Sequence, residues 1–129
     1  MALTKSFEAF ALELFAGAGP VRIKRMFGGA ALYLDDLVAA LLDDDAVWIK
    51  VDDETEAQFV ELGEPRFTYA AKDGSTMEMR YRRMPESAYD APDEAASWLR
   101  LGLAAALRAK AAKPKRKPKP AKGATREAT

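Results

Sequence analysis

A pair of adjacent glycines, Gly28 and Gly29, interrupts an apolar run over residues 25–34. Glycine has no Cβ atom, so a pair inside a strand-like run indicates a bend, a bulge or a close approach of two backbones. Two further apolar runs follow, over residues 37–42 and 47–51, and each comes directly after an acidic turn. This spacing predicts an antiparallel meander that begins at the glycines.

Helical patterns flank the meander on both sides. Apolar side chains recur at intervals of three and four residues over residues 3–14, and again in the segment that ends near residue 109. A shorter helix is expected after the acidic run at residues 52–55, because acidic side chains favour a helix N-terminus. Residues 66–82 are typical of a hairpin with an Asp-Gly turn.

These elements together predict an α+β domain over residues 1–109. We expect an N-terminal helix, a mostly antiparallel sheet of about five strands with an inserted helix, and a C-terminal helix. The first and last helices are expected to cover one face of the sheet. Residues 110–129 hold no apolar side chain larger than alanine, so we expect them to form a disordered basic tail rich in lysine, proline and alanine.

The formal net charge of zero conceals an uneven distribution. Residues 110–129 hold eight basic side chains and one acidic side chain, whereas residues 1–109 hold twelve basic and nineteen acidic. A dense run of cations binds phosphates without reading base sequence. A solubilising tail, or a tail folded onto the acidic body, accounts for the charge equally well. The candidates for nucleic-acid contact are Lys113, Lys115, Arg116, Lys117, Lys119 and Lys122.

Cysteine and histidine are both absent from the sequence. Their absence removes disulfides, thiol nucleophiles, and the commonest general base and metal ligand. No serine lies in a recognised nucleophile motif. We therefore expect a non-enzymatic protein with no catalytic residue, no metal and no cofactor. No apolar run has the length of a membrane span, so we expect a cytoplasmic protein without a membrane partner.

Four aromatic side chains fall within predicted strands, namely Tyr33, Trp48, Tyr69 and Tyr81. One interpretation is a set of stacking platforms for the bases of a single strand. Aromatic residues in strands more often form core contacts or half-buried cross-strand pairs. The signature of an RNA-binding sheet is also missing from the sequence, so the structural interpretation is favoured.

Charged side chains cluster in two further ways. Three arginines share a predicted strand and its end, namely Arg80, Arg82 and Arg83. They suit either phosphate contact or a solvated strand face on which Arg80 and Arg82 pair with Glu78 or with cross-strand acids, and the excess of acid in the body favours the second interpretation. Acidic clusters at residues 35–36, 43–45 and 52–54 lie where strands turn or a helix begins. Their spacing differs from that of an EF-hand, which favours turn roles over a metal site.

Several motifs in this order also resemble the N-terminal domain of the TfoX/Sxy family of competence regulators. They are Arg25-Met26-Phe27-Gly28-Gly29, Tyr33, residues 48–52 with Lys50, residues 67–69, and residues 81–86 with Pro85. The resemblance implies the same kind of fold and a non-enzymatic regulator that acts with the transcription machinery. It implies no ligand, catalytic residue or metal. The residues that match the family motif are expected to have structural roles, namely Arg25, Met26, Phe27, Gly28, Gly29, Lys50 and Pro85. Better-known relatives carry a second, C-terminal domain, which we expect this chain to lack.

Two functional hypotheses follow from the sequence. In the first, the protein is a transcription or competence regulator whose body binds a protein partner and whose tail contacts DNA. In the second, it is a protein–protein adaptor or a small homodimer with no nucleic-acid role, which uses the last helix or a sheet edge.

Overall fold

The computed structural model describes residues 3–26 and 28–112. Its helices are α1 (Lys5–Leu14), α2 (Glu56–Glu61) and α3 (Pro92–Ala112). Its strands are β1 (Val21–Met26), β2 (Gly29–Leu34), β3 (Leu37–Asp43), β4 (Ala46–Lys50), β5 (Arg66–Ala70) and β6 (Thr76–Arg83). Short segments of 3-10 helix lie at Ala16–Ala18 and Glu86–Asp90. No helix in the described ranges has both the length and the apolar character to cross a membrane.

The strands form one sheet in the order β1-β2-β3-β4-β6-β5, and every neighbouring pair is antiparallel. This arrangement confirms the α+β class and the meander, with one strand more than the approximate five expected. The additional strand is β1. The segment before the glycine pair was expected only to connect α1 to the meander, but it forms a strand of its own that pairs with β2.

The acidic turns of the meander are tight two-residue connections. Asp35 and Asp36 join β2 to β3 with φ angles of 52° and 66°, and Asp44 and Asp45 join β3 to β4 with φ angles of 53° each. Positive φ at both central residues matches the right-handed twist of a hairpin. Aspartate tolerates this conformation better than most residues, which explains why acids occupy these turns.

The core lies between one face of the sheet and the helices. Buried side chains of β2, β3 and β4 form a single cluster with residues of α1, α2 and α3. That cluster includes Leu14 of α1, Phe59 of α2 and Leu99 of α3. The expectation that the first and last helices cover one sheet face is therefore confirmed.

Helix α3 packs on β3 and β4 at very short range. The β2–β3 pairing shifts register at Ala39, which is an unpaired extra residue, or β-bulge, in β3. The bulge explains why buried and half-buried side chains do not alternate regularly along β3. Gly102 of α3 lies against the carbonyl group of Ala39. A Cβ atom on Gly102 would lie 2.2 Å from that oxygen, so this crossing depends on the absence of a side chain.

The C-terminal helix is longer than expected. It ends at Ala112, so residues 110–112 are helical and the prediction that they belong to a disordered tail was wrong. Alanine is the best helix former, and Lys110 in the last turn complements the negative end of the helix dipole. The rest of the predicted tail, residues 113–129, lies outside the described residues.

Candidate interaction face of the sheet

Side chains that alternate with the core residues point away from the helices. Opposed residues of antiparallel strands share a face, so the strand register assigns each side chain to one side. Arg22 opposes Tyr33, Leu41 opposes Trp48, Lys50 opposes Tyr81, and Tyr69 opposes Met77. We call this side the open face. Its charged strand residues are Arg22, Lys24, Asp43, Lys50 and Arg83, and its aromatic and larger apolar residues include Tyr33, Leu41, Trp48, Phe67, Tyr69, Met77, Met79 and Tyr81.

Aromatic rings form a connected row on the open face. Trp48 and Phe67 meet edge to face with centroids 5.2 Å apart, and Phe67 stacks on Tyr69 at 6.5 Å. Tyr69 is 45% exposed, and Met77 and Met79 beside it are 43% and 37% exposed. The four aromatics singled out in the sequence therefore share one face, and none of them belongs to the buried cluster under the helices.

Trp48 is held on this face by its ring contact and its strand position. Its indole Nε1 atom is buried and has no hydrogen-bond partner among the described residues. A buried tryptophan N–H usually finds an acceptor. Packing against Phe67, not a polar contact, therefore orients the Trp48 ring.

Cations lie among the aromatic rings. The guanidinium carbon of Arg22 is 4.0 Å from the centroid of the Tyr33 ring, and Nζ of Lys50 is 5.2 Å from that of Tyr81. Both distances are within the range of a cation–π contact. Burial raises the pKa of Tyr81, so its phenol stays neutral at ordinary pH and adds no negative charge beside Lys50.

Arginines on the helix side of the sheet belong to an ion-pair cluster. Arg80 and Arg82 each donate to Glu56 of α2 at 2.8 Å, and Arg66 donates to the same carboxylate from β5. Arg82 also donates to the backbone carbonyl of Glu64 at 2.8 Å. The prediction of acidic partners holds for Arg80 and Arg82, but the acids are Glu56 and, for Arg80, also Asp53, whereas Glu78 pairs with Arg66.

The charge state of Glu56 reflects two opposed effects. Burial raises its pKa, but hydrogen bonds from Arg80, Arg66 and Arg82 outweigh that effect and lower the pKa to about 2. The same bonds raise the pKa of Arg66 and Arg80. The cluster is therefore ionised throughout the physiological pH range, and its arginines are committed to carboxylates.

The acidic clusters serve the turns and the helix ends. Oδ1 of Asp45 accepts from the backbone N–H of Thr4 at 2.9 Å, which ties the β3–β4 turn to the start of α1. Asp52 accepts two hydrogen bonds from Arg108 of α3, at 2.6 and 3.0 Å, and these bonds lower its pKa to about 2. Within residues 3–26 and 28–112, no group of three or more acidic side chains is arranged to hold a metal ion.

The residues named by the family motif are spread over several parts of the fold. Arg25 pairs with Glu8 of α1 and donates to the carbonyl of Leu3 at 3.2 Å. Met26 opposes Gly29 in the β1–β2 pair. Lys50 lies on the open face, and Pro85 precedes the second 3-10 segment. Phe27 and the tail residues Lys113, Lys115, Arg116, Lys117, Lys119 and Lys122 lie outside the described residues.

Gly28 and Gly29 meet different constraints. Gly28 has a φ angle of +82° in open space, whereas Gly29 lies against β3. A Cβ atom on Gly29 would lie 2.6 Å from the Leu42 carbonyl oxygen. This distance is shorter than an ordinary van der Waals contact, so a side chain at this position would force the two strands to shift.

We expect Gly29→Ala to lower the free energy of unfolding by about 1–3 kcal/mol through overpacking. Gly28→Ala is expected to cost about 1 kcal/mol through its left-handed backbone alone. Urea denaturation of both variants provides the measurement. Gly17→Ala is the matched control, since Gly17 has open space around it and no positive φ angle. Equal stability of Gly29→Ala and the parent protein would contradict the close approach.

Sequence reasoning missed several members of the site. Phe67 was not grouped with the four aromatics. Met77 and Met79 were placed on one strand face with Tyr81 but were not joined to Trp48 and Tyr69, although strand alternation combined with the hairpin register places them together. Glu56 carried no distinguishing signal, because it lies within a longer acidic stretch. Its role depends on the packing of α2 beside β6.

Comparison with known proteins adds one finding to this geometry. Among curated proteins, none matches the chain. Residues 13–106, which include every strand and most of α3, match the family described as TfoX N-terminal domain.

Proposed function

This chain belongs to the TfoX N-terminal domain family, and from that membership we propose that it is a non-enzymatic regulatory protein of the competence type. It acts by binding other macromolecules. The observation that carries this proposal beyond the family is the open face, where exposed aromatic and apolar side chains lie opposite the helices. Exposed patches of this kind on a folded domain usually mark an interaction surface.

The uneven charge of the chain supports separate roles for the folded body and the basic end. The body is acidic, and residues 113–129 hold seven basic side chains and one acidic side chain. In this proposal the basic end holds the protein near DNA by contacts to phosphates, and the folded body engages a partner in transcription. Contacts to phosphates alone position a protein without specifying a base sequence.

Removal of residues 113–129 is expected to abolish binding to a random DNA duplex at low salt. If all seven cations of that segment engage phosphates, the slope of log K against log salt for the full-length protein is about −6. Fluorescence anisotropy with a labelled duplex, titrated with salt, measures both quantities.

A full-length variant with glutamine in place of these lysines and arginines is the control for the deletion. It keeps the chain length and removes the charge, so it should also fail to bind. Undiminished duplex binding by either variant would place the DNA contact elsewhere on the protein and would overturn this role for the basic end.

A protein–protein adaptor or a small homodimer is the second candidate function. Its supporting observation is a set of exposed apolar side chains on the helices: Val60 at 54%, Leu62 at 55% and Leu107 at 51%. Sedimentation equilibrium distinguishes the two candidates, because self-association through the helices is independent of residues 113–129.

A further inference from the structure

We propose that the open face binds single-stranded nucleic acid, with bases stacked on the row Trp48, Phe67 and Tyr69 and phosphates held by Arg22, Lys24 and Lys50. This inference goes beyond the proposed function, because it assigns a ligand class to the sheet itself and is independent of the basic end of the chain.

The aromatic row suits unpaired bases. The rings of Phe67 and Tyr69 are stacked with an interplanar angle of 27°, and Tyr69 is 45% exposed at the end of the row. A single strand presents the faces of its bases, which stack on such rings whatever the base sequence. A duplex keeps those faces covered and offers only phosphates and groove edges. The geometry therefore favours a single strand.

The charge of the open face supports the same ligand. Residues 1–109 carry nineteen acidic side chains against twelve basic. On the open face, the register places Arg22, Lys24, Lys50 and Arg83 against Asp43. Arg22 also pairs with Asp36 of the adjoining turn at 3.7 Å, which leaves the cations in excess. The face thus has the opposite sign to the body that carries it, as a polyanionic ligand requires.

Two other occupants fit this charge poorly. A second copy of the chain, packed face to face about a two-fold axis, would bring together two faces of the same net positive charge. The basic segment at residues 113–129 has the same sign as the face and would be repelled by it. An extended polyanion with planar groups satisfies both the rings and the cations.

The two tryptophans allow a direct test with the full-length protein. Trp48 lies on the open face, whereas Trp98 lies on α3 against Phe59 at 4.7 Å. Intrinsic fluorescence is recorded while a short oligothymidine, the matching oligouridine or a duplex is added. The titrations are repeated at a series of salt concentrations, because contacts made by charge alone weaken steeply as salt rises.

We expect the single strands to quench the emission of Trp48, with no quenching in a Trp48→Phe variant. Comparison of oligothymidine with oligouridine shows whether the face prefers a DNA or an RNA strand, which here differ in the sugar and in the thymine methyl group. Tyr69→Ala, a substitution at a position that is 45% exposed, should weaken binding about tenfold by loss of one stacking contact. Lys24→Gln should reduce the magnitude of the salt slope by about one.

The controls place the same changes elsewhere. Phe10→Ala removes an aromatic ring that is 38% exposed on α1, and Lys5→Gln removes a cation from the same helix. Both variants should bind like the parent protein. Absence of quenching, equal quenching by the duplex or by poly-glutamate, or unchanged affinity of Tyr69→Ala would each overturn the proposal. The duplex experiment on the basic end remains a separate test, so either idea can fail alone.

Discussion

Replacement of Gly102 by alanine is expected to lower the free energy of unfolding by about 3 kcal/mol, the upper part of the range for overpacking. The added Cβ atom would lie 2.2 Å from the carbonyl oxygen of Ala39 and 3.2 Å from Cγ2 of Ile49. The first of these contacts is with backbone, which cannot rotate away as a side chain does. Helix α3 must move off β3, or the bulge at Ala39 must shift.

Helix propensity acts in the opposite direction at this position. Alanine stabilises an exposed helix interior by about 1 kcal/mol relative to glycine. Ala109→Gly, at an exposed position on α3, measures that contribution in the same helix. Urea denaturation at neutral pH is the measurement for both variants. A Gly102→Ala variant more stable than the parent would show that α3 does not cross β3 at this distance.

Replacement of Glu56 by glutamine is expected to cost about 3 kcal/mol of stability at pH 7. This cost follows from the pKa of Glu56, which is lowered from 4.5 to about 2 in the folded protein. A shift of one pKa unit corresponds to about 1.4 kcal/mol. The Glu56 side chain is only 12% exposed and that of Arg82 19%, so solvent screens this pair weakly, whereas Arg80 is 47% exposed and is screened more. Glutamine keeps the shape of the side chain but leaves those arginines without their shared carboxylate.

The sign of the pH dependence follows from the direction of the shift. The folded pKa of Glu56 lies below the unfolded value, so its stabilisation is fully present above pH 4.5 and is lost as pH falls toward 2. The stability difference between the parent protein and Glu56→Gln should therefore be constant above about pH 5.5 and shrink below it. Asp52 titrates in the same window in both proteins and cancels in the difference.

Chemical denaturation at a series of pH values measures this difference. Glu61→Gln, on the exposed side of α2, is the matched control and should leave stability unchanged within about 0.5 kcal/mol. A difference that does not vary between pH 7 and pH 3 would mean that Glu56 contributes through its shape and not its charge.

Local patterns in the sequence determined the elements of this fold. Alternation along β6 predicts that Met77, Met79 and Tyr81 lie on one face of the strand and Glu78, Arg80 and Arg82 on the other. The strand register confirms that division. The turns were equally predictable, because a two-residue connection needs a residue that tolerates positive φ. Such features depend on residues close together in the chain. The limit of α3 was missed because Lys110 to Ala112 were grouped by composition with the proline-containing segment that follows, although alanine and lysine both favour a helix.

Tertiary structure decided which surfaces and partners these elements acquire. Glu56, not Glu78, pairs with Arg80 and Arg82 because α2 packs beside β6, far from it in sequence. Gly102 is essential only because α3 crosses the bulge at Ala39. The sequence determined that Trp48 alternates with the core residues Val47 and Ile49. Whether helices cover one face of the sheet or both depends on how distant segments pack. That packing placed the helices on one side and left the aromatic row on the other.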